Sequence, residues 1–229
     1  MDDVMNFLTR ASKNGSAGEP GGRRLRYRRE LIAERILGRA ADHYVTRWME
    51  EGAEREDEAR SMYELATGEM VVRCGFVLHP HYDFTGATPD GLVGTEGVLE
   101  IKSPKPETLV EWLETRVVPI EYQRQCQWEM VCCERQWADF YGWYPGMPPF
   151  LTRIERDAAM IAEMEQAALS LHQEIEAFLA QHNLPPTVWD VAAEMKPQAS
   201  ADSEEEDAYD PSKSFLDNCD FLDKYDIPI

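Results

Sequence analysis

Two acids and a lysine stand where a strand that only had to pack would carry Val, Thr or Ile. In "ATPDGLVGTEGVLEIKSP", residues 87–104, Asp90 precedes one apolar run, while Glu100 and Lys102 punctuate the next. The period-2 alternation of a strand sends Leu99 and Ile101 to one face and Glu100 and Lys102 to the other. A turn around Gly94-Thr95-Glu96-Gly97 folds this strand back on the one ending at Pro89-Asp90, so that Asp90 lies opposite Glu100. Two carboxylates facing one small volume repel unless a cation sits between them. Hard oxygen donors of this kind suit Mg²⁺, with Mn²⁺ as the alternative, an ion that keeps waters for a phosphate oxygen to displace. Lys102 adds a point charge that orients a water or balances a pentavalent phosphorane. The chemistry this arrangement serves is phosphodiester hydrolysis; the plainer reading is a solvent-facing hairpin with a chance salt bridge.

The elements that must position these groups are legible from periodicity. "RRLRYRRELIAERILG" places Tyr27, Leu31, Ile32 and Ile36 at helical spacing and stops at Gly38. "EEGAEREDEARSMYELATG" turns Ala59, Met62, Tyr63 and Ala66 to one face and stops at Gly68. "MVVRCGFVL", the hairpin, "WADFYGWY" and "FLTRIER" read as strands of antiparallel appearance, and "IEYQRQCQWEMVCCE" between them reads as a helix. Ala158 to Ala180 is a long amphipathic helix with Ile161, Met164, Ala168, Leu171, Ile175 and Phe178 inward. This order predicts one α/β or α+β domain over residues 23–184, after a mobile segment over 1–22 and before an acidic, largely disordered tail over 185–229.

Composition bounds the rest. With 229 residues and 43% hydrophobic content the chain can bury a sizeable core. No run of about 18 apolar residues exists, and the acidic start lacks the pattern of a secretory signal, so a cytoplasmic, membrane-free protein is expected. Five cysteines without C-x-x-C spacing suggest reduced thiols, with neither a disulfide framework nor a zinc site. The net charge of −20 opposes binding to a polyanion, but residues 201–229 carry −8 of it, while Arg23, Arg24, Arg26, Arg28, Arg29 and Arg35 form a basic block.

Pro-Asp, nine residues, Glu-x-Lys resembles the PD-(D/E)xK nuclease motif. "GFVLHPHYDFTGATPDGLVG" with "GVLEIKSP", then "YQRQCQWEM" and "WADFYGWYP", resembles in order and spacing the lambda-exonuclease or YqaJ-like viral recombinase family over about residues 25–180. "ELIAERILG" and "GAEREDEAR" match its upstream helices. The resemblance implies a restriction-endonuclease-like core, a central mixed sheet flanked by helices. It implies a Mg²⁺-dependent exonuclease that trims one strand of a double-stranded end, assembled as a ring-shaped homotrimer in a bacterial host, with a single-strand annealing protein as partner. By the same resemblance Asp90, Glu100 and the Ile101 carbonyl hold the metal, Glu56 and Lys102 position the water, and Gln125, flanked by Tyr122 and Gln127, helps hold it. Family members carry an upstream arginine and a Thr-Ala-Ser-like segment that grip a 5′-phosphate. This chain is expected to start just beyond that segment, at "MDDVMNF", and the arginines at 23, 24, 26, 28 and 29 are the alternative phosphate contacts, or else the exposed side of a helix.

Other features invite blander readings. His79-Pro80-His81 reads as a strand end, Cys132-Cys133 as buried thiols, and the aromatic run 137–144 as core strand. The tip "NCDFLDKYDIPI" interleaves acids with Phe221, Tyr225, Ile227, Pro228 and Ile229, and resembles the acidic tip of bacterial single-strand-binding proteins. It reads as a partner-docking peptide or as a solubilising tail. Two rival functions stay open: a structure-specific or restriction-type endonuclease on the same fold, and a non-catalytic acidic mimic of DNA.

Overall fold

The structure, a computed structural model, describes residues 1–7, 16–40 and 47–184, the side chains of 47–54 excepted. Two helices lead, α1 (Gly22–Leu37) and α2 (Arg47–Thr67), followed by the short strands β1 (Val71–Val72), β2 (Val77–Leu78) and β3 (Gly86–Ala87). The hairpin β4 (Gly91–Val93) and β5 (Gly97–Lys102) comes next, then α3 (Pro106–Thr115) and α4 (Ile120–Cys132). The strands β6 (Trp137–Gly142) and β7 (Phe150–Glu155) and the long α5 (Ala158–Gln181) complete the fold.

One five-stranded sheet runs β1-β4-β5-β6-β7, and β2 pairs with β3 apart from it. The strands are not all antiparallel: β5 and β6 run parallel, Glu100 beside Phe140 and Lys102 beside Gly142. A parallel pair needs a long crossover, and α3 and α4 supply it. "MVVRCGFVL" is likewise not one strand; it breaks between Val72 and Val77 into β1 and β2, which join different sheets. Helix α3 goes unread in the sequence because Pro104 and Pro106 look like terminators, whereas Pro106 occupies the first turn, where a missing N–H costs nothing.

Alternation along β5 divides the core. Val98, with Ala138 and Phe140 of β6, packs against Leu109 and Trp112 of α3 and Cys126 and Met130 of α4. Leu99 and Ile101 face the other way and pack with Val93, Tyr141 and Trp143 against Ala59 and Tyr63 of α2. Glu100 and Lys102 therefore project on the α4 side. At the strand's start only glycine fits, since a Cβ on Gly97 would collide with the Trp137 ring.

A third cluster joins α5 to α4 and α1 through Ile161, Met164, Leu171, Ile175, Trp128 and Ile32. Asp157 caps α5, its Oδ1 accepting from the N–H groups of Ala159 and Met160 at 3.0 Å each. The N-terminal segment departs from expectation: Val4 is buried, and Met1, Met5 and Phe7 pack against this cluster. Phe7 also bridges to Pro20. Ile36 and Met62, expected inward, are 44% and 40% exposed, and Ala66 is exposed too. On α2 the face turned to the sheet runs through Glu56, Arg60 and Tyr63, spaced i, i+4, i+7.

Candidate active site

The hairpin register Gly91↔Leu99 carries Asp90 opposite Glu100. Asp90 stands at the head of β4 rather than at the end of the strand before it. Its Oδ2 accepts the Ile101 N–H at 2.6 Å. Because the N–H and C=O of a strand residue point to the same side, the Ile101 carbonyl faces Asp90 as well. Glu100 is 1% exposed; its Oε1 takes the Lys102 ammonium, and its buried Oε2 has no hydrogen-bond partner. Lys102 Nζ also lies over the Tyr122 ring, 5.4 Å from its centroid.

These contacts set the charges. Burial and then the neighbouring Glu100 push the Asp90 carboxyl up to about 7, against the Ile101 N–H that favours its ionised form. Burial works against a charged Lys102, yet the Glu100 contact outweighs it and the ammonium is held above its ordinary range. Lys102 is thus a firm positive charge beside hairpin carboxylates that repel each other.

Helix α4 brings Gln125 to this place and adds a group that sequence reasoning missed. Gln125 Nε2 donates to Glu129 Oε1 at 3.0 Å, and the Glu129 carboxyl lies close enough to Glu100 for the two to repel each other. Glu129 is 2% exposed, and its Oε2 lacks a partner. Burial and then Glu100 raise its carboxyl well above the ordinary range. An acid inside a stretch of Cys, Trp, Met and Val, four residues after a candidate glutamine, was the available signal. Gln127 points elsewhere: it donates to the Glu155 carbonyl at 2.7 Å and accepts from the Asp157 N–H at 2.8 Å, tying α4 to the start of α5.

Helix α2 presents Glu56 by way of Arg60, the second group missed. The Arg60 guanidinium, 7% exposed, takes Glu56 at 2.5 Å and Asp57 at 2.7 Å, and reaches the Asp90 carbonyl at 3.1 Å. Glu56 is near enough to add to the repulsion felt by Asp90. One turn on, the Tyr63 hydroxyl donates to Asp139 Oδ2 at 2.7 Å, and Arg153 grips the same carboxylate with two bonds of 2.8 Å. The buried Tyr63–Asp139 bond, flanked by the exposed Arg153, anchors the helix to β6, and so fixes where Glu56 and Arg60 stand.

The arginine block is not one face. Arg24 is fully buried against Glu174 of α5, at 2.9 and 3.1 Å, so it is withdrawn from any ligand. Arg28 is held by the same residue and lies over Phe178. Arg23, Arg26 and Arg29 are exposed, Arg23 pairing with Asp2 at 2.6 Å and Arg26 with Glu30 at 2.8 Å. The tail positions Phe221, Tyr225, Ile227, Pro228 and Ile229 lie outside the described residues.

The features read as structural are packed accordingly. His79 is buried and stacked on Tyr82, 4.8 Å between ring centres, and burial lowers its pKa. Burial pushes the Cys132 thiol up to about 12 and Cys133 up to about 11, so neither is a nucleophile near neutral pH. Among the described residues no helix is long and apolar enough to cross a membrane.

Among the described residues no three His, Cys, Asp or Glu side chains gather as a metal site. The donors at hand are two carboxylates and one main-chain carbonyl. They fit a hard divalent cation that completes its shell with water, because the orphaned Glu100 Oε2 and the strained Asp90 carboxyl both lack a countercharge that Lys102 alone does not supply.

Comparison with known proteins finds one family and several solved structures similar to this chain. Residues 16–136 match the model of the YqaJ-like viral recombinase domain. A crystal structure of the alkaline exonuclease LHK-Exo from Laribacter hongkongensis is similar with 36% identity and a TM-score of 0.68, over 84% of this chain and 90% of that one. The same enzyme in complex with dAMP gives a TM-score of 0.69 at the same identity and coverage. A phage-related exonuclease from Haemophilus somnus 129PT shares the fold at 14% identity, TM-score 0.58, over 79% of this chain and 94% of that one. No curated protein matches the sequence.

Proposed function

The chain belongs to the family of YqaJ-like viral recombinase domains and is a DNA nuclease, and from that premise we propose a double-strand DNA exonuclease, running 5′→3′, that resects ends for recombination by single-strand annealing. The observation that carries the reading is the hairpin pairing of Asp90 with Ile101, which sets Glu100 and Lys102 beside it. It stands in a chain 36% identical to a protein described as an alkaline exonuclease.

Asp90, Glu100 and the Ile101 carbonyl are the groups that would hold Mg²⁺ or Mn²⁺. Such an ion, when bound, neutralises charge on the phosphodiester and favours ionisation of a water. The protein's own groups do the rest. Lys102 presents its ammonium to the phosphoryl oxygens, where negative charge grows as the attacking water approaches in line. Gln125 and Glu56 orient that water, Gln125 from α4 and Glu56 from α2, each accepting one of its hydrogens. Arg23, Arg26 and Arg29 supply phosphate contacts along the duplex.

The assembly we propose is a ring-shaped homotrimer around DNA in a phage-infected bacterial cell, working with a single-strand annealing protein that the tip at Phe221, Tyr225, Ile227, Pro228 and Ile229 recruits. Deleting 217–229 and measuring capture of that protein tests the tip; undiminished capture removes it from the proposal. The activity is tested by digesting linear duplex labelled at the 5′ or the 3′ end, with and without a 5′-phosphate, beside a closed circle. Early release of the 5′ label and an intact circle are expected. A linearised circle would mean an endonuclease, and untouched linear duplex would mean no nuclease at all.

A further inference from the structure

We propose that Glu129 is a positioning residue that decides which end of the Gln125 amide faces the substrate, an inference that rests on the nuclease reading above. Glu129 sits in the part of α4 that is buried without interruption from Cys126 to Cys132. Its carboxyl spans two elements, accepting from Gln125 Nε2 at 3.0 Å on its own helix and meeting Glu100 on β5. Nothing in the hydrolysis derived above employs it directly.

A glutamine amide is planar, with a donor at one end and an acceptor at the other, and only its hydrogen-bond partners choose between the two orientations. Here the NH₂ end is committed to Glu129, so the carbonyl end is the one left to turn toward the scissile phosphate. An acceptor there takes a hydrogen from the attacking water and leaves the water's lone pair aimed at phosphorus. With the anchor removed, the amide is free to flip and offer a donor, which would bind the lone pair that must attack. Glu129 therefore acts through Gln125 and not on substrate.

The test compares E129A, Q125A, the double variant and E129Q under single-turnover and steady-state conditions. E129A and Q125A each lower kcat by about 10-fold or more with KM within about 3-fold, and the double variant is no worse than either, since both remove one device. E129Q, which still offers an oxygen to Gln125 Nε2, returns kcat to within about 3-fold of the native value. Losses that multiply in the double variant, or an E129Q as poor as E129A, overturn the proposal. If E129A does not fold, E129L, which fills the volume without an acceptor, replaces it.

The Gln125 side-chain NH₂ resonance, assigned by its loss in Q125A, reads the contact without any catalysis. It should shift and exchange faster with solvent in E129A or E129L and stay put in E129Q. An NH₂ signal indifferent to these changes overturns the proposal even where activity falls. A wild-type protein that leaves DNA intact counts instead against the function proposed above.

Discussion

The Arg60 guanidinium on α2 donates to the main-chain carbonyl of Asp90, thirty residues away, at 3.1 and 3.3 Å while holding Glu56 at 2.5 Å. One side chain thus fixes the distance between a helix acid and the loop that carries the hairpin acid. Replacing Arg60 by Ala leaves the Asp90 carbonyl without its donor and frees Glu56 to swing into solvent. Loss of a mostly buried charged group with these partners costs about 2–4 kcal/mol. R60A should lower both Tm and kcat, and R60K should recover part of the first but little of the second, because an ammonium cannot bridge several acceptors in one plane. Calorimetry and single-turnover digestion read the two effects separately; an R60K as active as the native protein would remove Arg60 from the positioning role.

Lys102 is held charged by Glu100, and no other cation shares that contact among the described residues. K102A should reduce kcat by about 10²- to 10⁴-fold, with duplex affinity little altered, since its proposed work is done as charge develops. The substitution also leaves the buried Glu100 carboxylate without its cation, so Tm should fall as well, and circular dichroism at the assay temperature separates lost fold from lost chemistry. Anisotropy with labelled duplex separates lost binding from lost chemistry, and digestion by K102A at the native rate contradicts the assignment.

How far the sequence discloses this site depends on the range of the contact involved. Asp90, Glu100 and Lys102 are legible because strand period and a short hairpin fix their relation within thirteen residues. The contacts of Arg60 and Arg24 are not, since they depend on Asp90 and on Glu174, the latter 150 residues away. An arginine on a helix reads as solvated until its partner is known. Glu129 is hidden for the same reason: only the packing of α4 on β5 shows that an acid there is enclosed. The parallel pairing of β5 with β6 was concealed by α3, whose opening Pro106 resembles a stop.

The division within the arginine block predicts two different phenotypes. Arg24 is a packing residue, so R24M should lower Tm by roughly 2–6 °C, the equivalent of about 1–2 kcal/mol for a chain of this size, and leave the salt dependence of duplex binding unchanged. Arg23, Arg26 and Arg29 are exposed and weakly tied, so their joint replacement by Ala should leave Tm alone. It should flatten the slope of log K against log salt by up to about 0.9 for each phosphate contact removed. A slope that does not change places the duplex on another face.

Asp90 should show its strain in the stability of the metal-free protein. Its carboxyl is pushed up to about 7, first by burial and then by Glu100, against 3.8 for an unperturbed aspartate. Between those values the folded chain binds more protons at this site than the unfolded chain. Stability therefore falls as pH rises from about 4 to about 7, and the loss is complete above that window. Asn carries no titrating proton and still accepts the Ile101 N–H through its amide oxygen, so D90N escapes the penalty. In EDTA at pH 8, D90N should melt above the native protein by roughly 3–8 °C, reflecting about 1–3 kcal/mol, and the gap should shrink toward zero by pH 4. Adding Mg²⁺ at pH 8 should narrow the gap from the other side, because a cation relieves the native carboxylate and has little to offer the amide. Melting curves at pH 4, 6 and 8 decide it: a native protein that matches D90N throughout in EDTA would mean that Asp90 and Glu100 do not confront each other, and that the hairpin holds no place for a cation.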